Sequence, residues 1–487
     1  MDLMMPMLSG GTDEFGKELV PPLPLLFDRV SEGRKPVSGS ILLRVPLEVL
    51  ALVVQKIPET SLASLALVNS DCRQLARSRQ FASLHFDYSD DTMAIIGILL
   101  REARERLNNN GLTSRPALGP CVRRLTVATH PGWLQHRHNV ELSESFIALP
   151  KKEKSERLTA ACDAFFGSYI TSIHLLLSNR TVLPHLELLD WEDKFALQPS
   201  FYDAIANSNI RHLKVYRVYA DKSFTIDQPQ SQPSWPLRSL YLEILPAIGN
   251  RDLDVSGLCT SILRICAPSL RSLTWSTCRP NPIHTNGLGP SPRFPSLRHL
   301  RLEYLALVDV CYLQELLHDE LNALDVNTNS SPACSEFFDG RGRIPALEIF
   351  VWSPLTLPES QSLAFLEANP HISRLNIPRA ASAALLENRI VPMLEQSFSN
   401  LTSLGLVWDS LNIPCQALAC ISQIKTLQQL HLSAGFHAGW RHDWSIDHQV
   451  MQKYLRNLPL LKNLAFSRDS YSNGLTVGCE RYYVDGI

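Results

Sequence analysis

The chain has 487 residues, 46 Lys+Arg against 48 Asp+Glu, a formal net charge of -2, and 45% hydrophobic residues. That much apolar material excludes a chain disordered throughout, and at roughly 150 residues per domain the length suggests about three domains. The balanced charge excludes bulk polyanion binding, so no nucleic-acid partner is expected.

No apolar run reaches the ~20 residues that cross a bilayer, and the N-terminus has no basic signal-peptide region. The expected location is cytoplasmic and/or nuclear, without a membrane partner. The eleven cysteines are odd in number and form no C-x-x-C pair, so they read as reduced thiols.

In chain order, residues 1–40 are rich in Pro, Gly and Met, and Pro21, Pro22 and Pro24 would break any helix there. A disordered tail is expected. Its segment Gly11–Lys17, GTDEFGK, nearly spells a phosphate-binding loop. Glu18 stands where a Mg²⁺-binding hydroxyl is needed, however, and no strand precedes it. A nucleotide cofactor is not expected.

Residues 41–80 read as three short helices. Pro46 and Glu48 open the first, in which Val49, Leu50, Val53, Val54 and Ile57 share a face, and Pro58 stops it. Thr60 or Ser61 can cap the second, which carries Leu62, Leu65 and Leu67. Asn69 or Ser70 can cap the third, which ends in Arg73, Arg77 and Arg79. A module of about 40 residues is near the lower limit for its own core. Yet Leu52, Ala66 and Val68 lie off the main stripe, and this surplus implies cover by the following domain and by a separate protein.

The segment resembles an F-box. Val45-Pro46 matches the opening pair, Glu48, Val49, Leu50, Val53 and Val54 the first helix, and Ile57-Pro58, Leu62, Leu65 and Val68 the remainder. Ser61 replaces a usual acid, and Cys72 a frequent Trp. The resemblance implies that Val45, Pro46, Leu50, Val53, Val54, Ile57, Leu62, Leu65 and Val68 bind a Skp adaptor.

From residue 81 a six-residue pattern L-x-x-L-x-L recurs. It begins with FASLHF at Phe81 and VRRLTV at Val122, and continues through LELLDW (Leu186), IRHLKV (Ile210), LRSLYL (Leu237), LRSLTW (Leu270), LRHLRL (Leu297) and LNALDV (Leu321). LEIFVW (Leu347), ISRLNI (Ile372), LTSLGL (Leu401), LQQLHL (Leu427) and LKNLAF (Leu461) complete the series. Most intervals after Leu186 are about 24 to 29 residues, the spacing of leucine-rich repeats.

A strand and a helix cannot bury each other alone, so copies must stack. The expected fold class is α/β: an F-box followed by an irregular leucine-rich-repeat solenoid, a curved parallel sheet with outer helices. The solenoid spans 81–470, with a helical insertion near 141–180 and a C-terminal tail at 471–487. Cys278 and Asn329 fill the position that often holds Cys or Asn just after the repeat strand.

No intact catalytic motif is present, and no catalytic residue is expected. Two histidine groups, His130/His136/His138 and His437/His442/His448, have no cysteine at ligand spacing, so neither a metal nor a cofactor is expected. Period-two geometry sends Leu240, Leu242, Leu300, Leu302 and Leu324 inward, and Tyr241, Glu243, His299, Arg301 and Asp325 outward. These five, with Trp440, Arg441 and Trp444 of the long loop after Leu432, are the candidate target-binding residues. Charge reversal at Arg301 and Asp325 is expected to cost little stability.

By the resemblance, the function is that of a substrate-recognition subunit of a Skp–cullin–F-box ubiquitin ligase: an adaptor on the F-box, a target protein on the repeats, and catalysis by other subunits. The alternative is a scaffold whose F-box binds the adaptor without target ubiquitination.

Overall fold

A computed structural model describes residues 25–37, 41–109, 113, 115–140, 144–227, 235–247, 250, 252–277, 282–283, 292–307, 310–327, 338, 342–352, 359–435, 437–438, 441–442, 444 and 446–466. The chain forms two compact units. One holds 1–190 with 208–210, and the other holds 191–207 with 211–487.

Every copy of the repeat pattern becomes a strand that starts at its third residue. In the first unit these are Ser83–Phe86, Arg124–Val127 and Leu188–Trp191, the last ending at the boundary. In the second unit they are His212–Ala220, Ser239–Pro246, Ser272–Ser276, His299–Glu303, Ala323–Asn327, Ile349–Trp352, Arg374–Asn376, Ser403–Val407, Gln429–Ser433 and Asn463–Phe466. Successive strands pair parallel, and the fourth motif residues align: Leu240 with Leu273, Leu300 and Leu324, then Phe350, Leu375, Leu404, Leu430 and Leu464.

One main-chain device recurs. The carbonyl of the second motif residue accepts two N–H groups from the next copy. Arg211 does so for Arg238 and Ser239, Arg238 for Arg271 and Ser272, and Arg271 for Arg298 and His299; the pattern continues to Gln428. In the first unit Ala82 and Arg123 do the same. Inward leucines at the first, fourth and sixth motif positions are buried, except the half-buried Leu461 of the last copy, as are Trp191, Trp275 and Trp352 at the sixth. Within each unit this is a leucine-rich-repeat arrangement: alternate side chains of the strands point into the core, and neighbouring copies satisfy each strand's backbone.

The connecting segments are uneven. Long helices such as Ser256–Cys266 follow some strands, and the shorter Val310–Leu316 follows another. In the first unit, helices Lys151–Ala164 and Thr171–Ser178 are joined through a π-helical turn, Phe165–Ile170. Together they make one helix long and apolar enough to cross a membrane, contrary to the reading that no such segment exists. Its residues Ala161, Phe165, Tyr169, Ile173, Leu176 and Leu177 are buried. The helix Asp90–Asn108 is a further element, capped by Ser89, whose hydroxyl accepts from Thr92 N–H.

The three-helix module consists of Leu47–Lys56, Glu59–Val68 and Ser70–Gln80. Asn69 caps the third helix by accepting from Cys72 N–H, whereas the second starts directly after Pro58, ahead of the expected Thr60 or Ser61 cap. The expectation of a disordered tail to residue 40 fails for 25–37. There the helix Phe27–Val30 buries Phe27 and Val30 against Leu50, Val54, Leu75 and Cys121. Residues 1–24, with the Gly11–Lys17 segment, lie outside the described residues, as do Cys278, Asn329 and the segment 471–487.

The described cysteines, Cys72, Cys121, Cys162, Cys259, Cys266, Cys415 and Cys420, are free thiols. Burial pushes Cys121 and Cys259 up to about 12 and raises Cys266 as well.

Leu302 is buried between the flanking strands. Leu302→Ala is expected to cost about 2–5 kcal/mol. Hydrogen exchange should accelerate in Ser272–Ser276 and Ala323–Asn327 while Arg124–Val127 keeps its protection; unchanged protection in the flanking strands would contradict a shared core.

Candidate interaction surfaces

The three-helix module presents its apolar residues in two directions. Leu50, Val54 and Leu62 are buried within the protein. They were expected to touch the adaptor, and here Leu50 and Val54 pack with Phe27 and Val30 of the preceding segment. Val45, Ile57 and Leu65 are half-buried, and Pro46 is exposed. Of the expected contact residues, Val53 and Val68 stand clear in solvent, at 43% and 66% exposure. Val49, Leu52 and Leu67 join them, with Leu67 at 80%. Exposure of five large aliphatic residues on so small a module marks it as a candidate protein-binding surface. Arg79 secures the turn between those helices by donating to Val54 O at 2.9 Å and to Ile57 O.

The second surface is the outward face of the second unit's sheet. Strand register places Lys214, Tyr241, Thr274, Arg301, Asp325, Val351, Asn376, Gly405, His431 and Ala465 in a single row. Tyr241, His299 and Arg301 are half-buried on this face as expected, but Glu243 and Asp325 are buried. The reason is mutual cover. Arg301 Nε lies 2.9 Å from Glu303 Oε1 and 3.1 Å from Asp325 Oδ2. Arg217 Nε stands 3.4 Å from Glu243 Oε1, and Tyr241 OH donates to Glu243 Oε2 at 3.1 Å. Burial pushes the Glu243 carboxyl up, Arg217 and Tyr241 draw it back, and nearby Glu303 raises it again.

Charge reversal at Arg301 or Asp325 is therefore not neutral, because each group neutralises a desolvated neighbour. Sequence reasoning missed Arg217. Arg217 sits in a bulge between Val215 and Val218 with φ +54°, and its guanidinium lies 5.1 Å from the Tyr216 ring centre. No periodic signal announces such a break.

In the loop after Leu432, His437–Ala438 pairs antiparallel with Arg441–His442. Trp440 and the Arg441 side chain lie outside what the structure describes. Trp444 is buried rather than offered to a partner, packing edge-on against Phe466 with ring centres 5.7 Å apart. Gly435, at φ +88°, is required beneath it, since a Cβ there would stand 2.9 Å from Trp444 N.

The histidines of the first group have separate structural duties. His130 Nδ1 accepts from Gly132 N–H, His136 meets Trp133 edge-on, and His138 Nε2 lies 2.9 Å from Tyr88 OH. Among the described residues no group of three or more His, Cys, Asp or Glu is placed to hold a metal ion.

No protein-family model matches the chain, and no curated protein matches it either. Among solved structures, an internalin from Listeria monocytogenes is similar over 60% of this chain and 70% of its own, at 14% identity and a TM-score of 0.29. So distant a likeness adds nothing to the strand geometry, which stands alone.

Two measurements follow from these sites. Arg301→Met leaves Glu303 and Asp325 without their shared cation and should cost roughly 1–3 kcal/mol; a change below about 0.5 kcal/mol in urea unfolding would contradict the coupling. Burial, then Arg137, holds His138 below the usual histidine range. The unfolded chain therefore binds the proton first, and stability present above about pH 6.5 is lost as pH falls through that value. Protection factors in strand Ser83–Phe86, taken relative to the intrinsic exchange rate at each pH, should fall between pH 7 and 5.5, and less so in His138→Gln.

Proposed function

We propose that this chain is a substrate-recognition subunit of a Skp–cullin–F-box ubiquitin ligase, working in the cytoplasm and/or nucleus. The observation that carries the reading is the exposure of the aliphatic side chains of Val49, Leu52, Val53, Leu67 and Val68, on helices whose sequence resembles an F-box. A free face of this kind on so small a module is costly in water unless a partner covers it. The adaptor seats there, and its cullin and RING partners carry the chemistry.

The outward sheet face of the repeats then receives the target. Its ion-paired, aromatic and polar residues supply shape and charge complementarity for a protein rather than a catalytic centre. The chain contributes proximity: it holds a target where a separate enzyme can reach it.

The test is co-purification with a Skp adaptor. Replacing Leu52, Val53, Leu67 and Val68 by Ser should abolish capture of the adaptor. The repeats should keep their hydrogen-exchange protection, because these four side chains are exposed. Adaptor capture at the wild-type level would defeat the assignment. Target ubiquitination that disappears with the same substitutions separates a ligase subunit from a scaffold.

A further inference from the structure

We infer that residues 25–37 form a built-in clamp that fixes the pose of the three-helix module on the helix Asp90–Asn108. The segment precedes the module in sequence, yet it packs both on the module and on elements that follow it. Its apolar anchors, Phe27 and Val30, complete a core with Leu50 and Val54 of the module's first helix, Leu75 of its third, and Cys121 just ahead of the strand Arg124–Val127.

Polar contacts then tie the same segment in both directions. Toward the module, Gln74 donates to Val30 O at 2.7 Å while also reaching Ala117 O at 2.8 Å, and Val37 N–H donates to Asp71 Oδ2 at 3.0 Å. Away from it, Glu32 pairs with Arg106 of the long helix, and Arg34 donates to Thr113 O at 2.6 Å and to Thr113 Oγ1 at 2.8 Å. The Glu32–Arg106 pair is nearly sealed from water, with the Arg106 side chain 4% exposed.

Glu32 reaches Arg106 from a left-handed backbone, φ +55°, followed by Gly33 at φ +73°. A non-glycine residue holds that conformation only when its surroundings over-determine it. Here the ion pair and the buried anchors on either side do so. Each end of the clamp grips a different body of helices, so the module cannot turn without breaking a buried contact. Whatever binds the module's exposed face is then held at a fixed orientation to the long helix. The clamp holds whether or not that partner is the adaptor proposed above.

The test uses the full chain with spin labels at positions 59 and 104, on the module and the long helix, after every cysteine except the buried Cys72, Cys121, Cys259 and Cys266 is changed to Ser. Phe27→Ala with Val30→Ala should broaden the 59–104 distance distribution. The same variant should raise hydrogen exchange in Leu47–Lys56 and Ser70–Gln80 roughly tenfold or more, with Ser403–Val407 and Gln429–Ser433 unchanged. An unchanged distance distribution and unchanged exchange would overturn the clamp. Should that variant unfold the whole chain, Glu32→Ala decides, since it keeps both apolar anchors. Faster exchange in 25–37 and 90–108 supports the clamp, and wild-type exchange there overturns it. Adaptor capture, measured in parallel, reports only on the exposed face: its loss with an intact distance distribution counts against the ligase reading and leaves the clamp standing.

Discussion

The repeat part of the molecule depends on one backbone arrangement. From Arg211 to Gln428 the carbonyl of the second motif residue accepts two N–H groups from the copy that follows. A single copy has no way to satisfy those donors, and a strand of four or five residues is too short to bury its leucines unaided. Pairing and burial therefore arrive together, copy by copy, and register is set by both at once. A slip of one residue would break the doubled acceptor and turn Leu300 and Leu302 into solvent. The small bridges between copies follow from this alignment: Ser269 donates to Trp235 and Leu237 carbonyls, and Asn369 accepts from Ile344 N–H.

Those strands were legible in the sequence because the period-two signal and the recurring motif report the same burial. The unevenness between them was not. The helix Asp90–Asn108 carries buried Thr92, Ile96, Leu99 and Arg106, a stripe interrupted by charge and easily taken for a loop between distant copies. The π-helical turn at Phe165–Ile170 has no periodic signature of its own. The segment 25–37 hides for a different reason. Its ordered helix is four residues long and has two anchors, too few for any window of periodicity to register, and its other contacts reach residues more than thirty positions away.

The candidate surfaces were legible in kind and misjudged in direction. The pattern of the three-helix module could be read, but helical spacing alone cannot say which apolar side faces inward. That is settled by Phe27 and Val30, which claim Leu50 and Val54 and leave Leu52, Leu67 and Val68 outside. On the sheet, alternation correctly sent Glu243 and Asp325 to the outer face. Being on the outer face is not the same as being exposed, however, because Arg217 and Arg301 lie across them.

That cover changes how the sheet face can vary. Arg301 is shared between Glu303 and Asp325, residues on neighbouring strands, so the fitness of any one of the three depends on the other two. Substitutions among them will be epistatic: a charge lost at one site makes a second loss easier to tolerate, and double replacements cost less than their separate effects combined. The chemistry of this part of the face would then diverge in blocks of adjoining copies. A pairwise or larger library across neighbouring strands can reach sequences that no ladder of stable single substitutions connects.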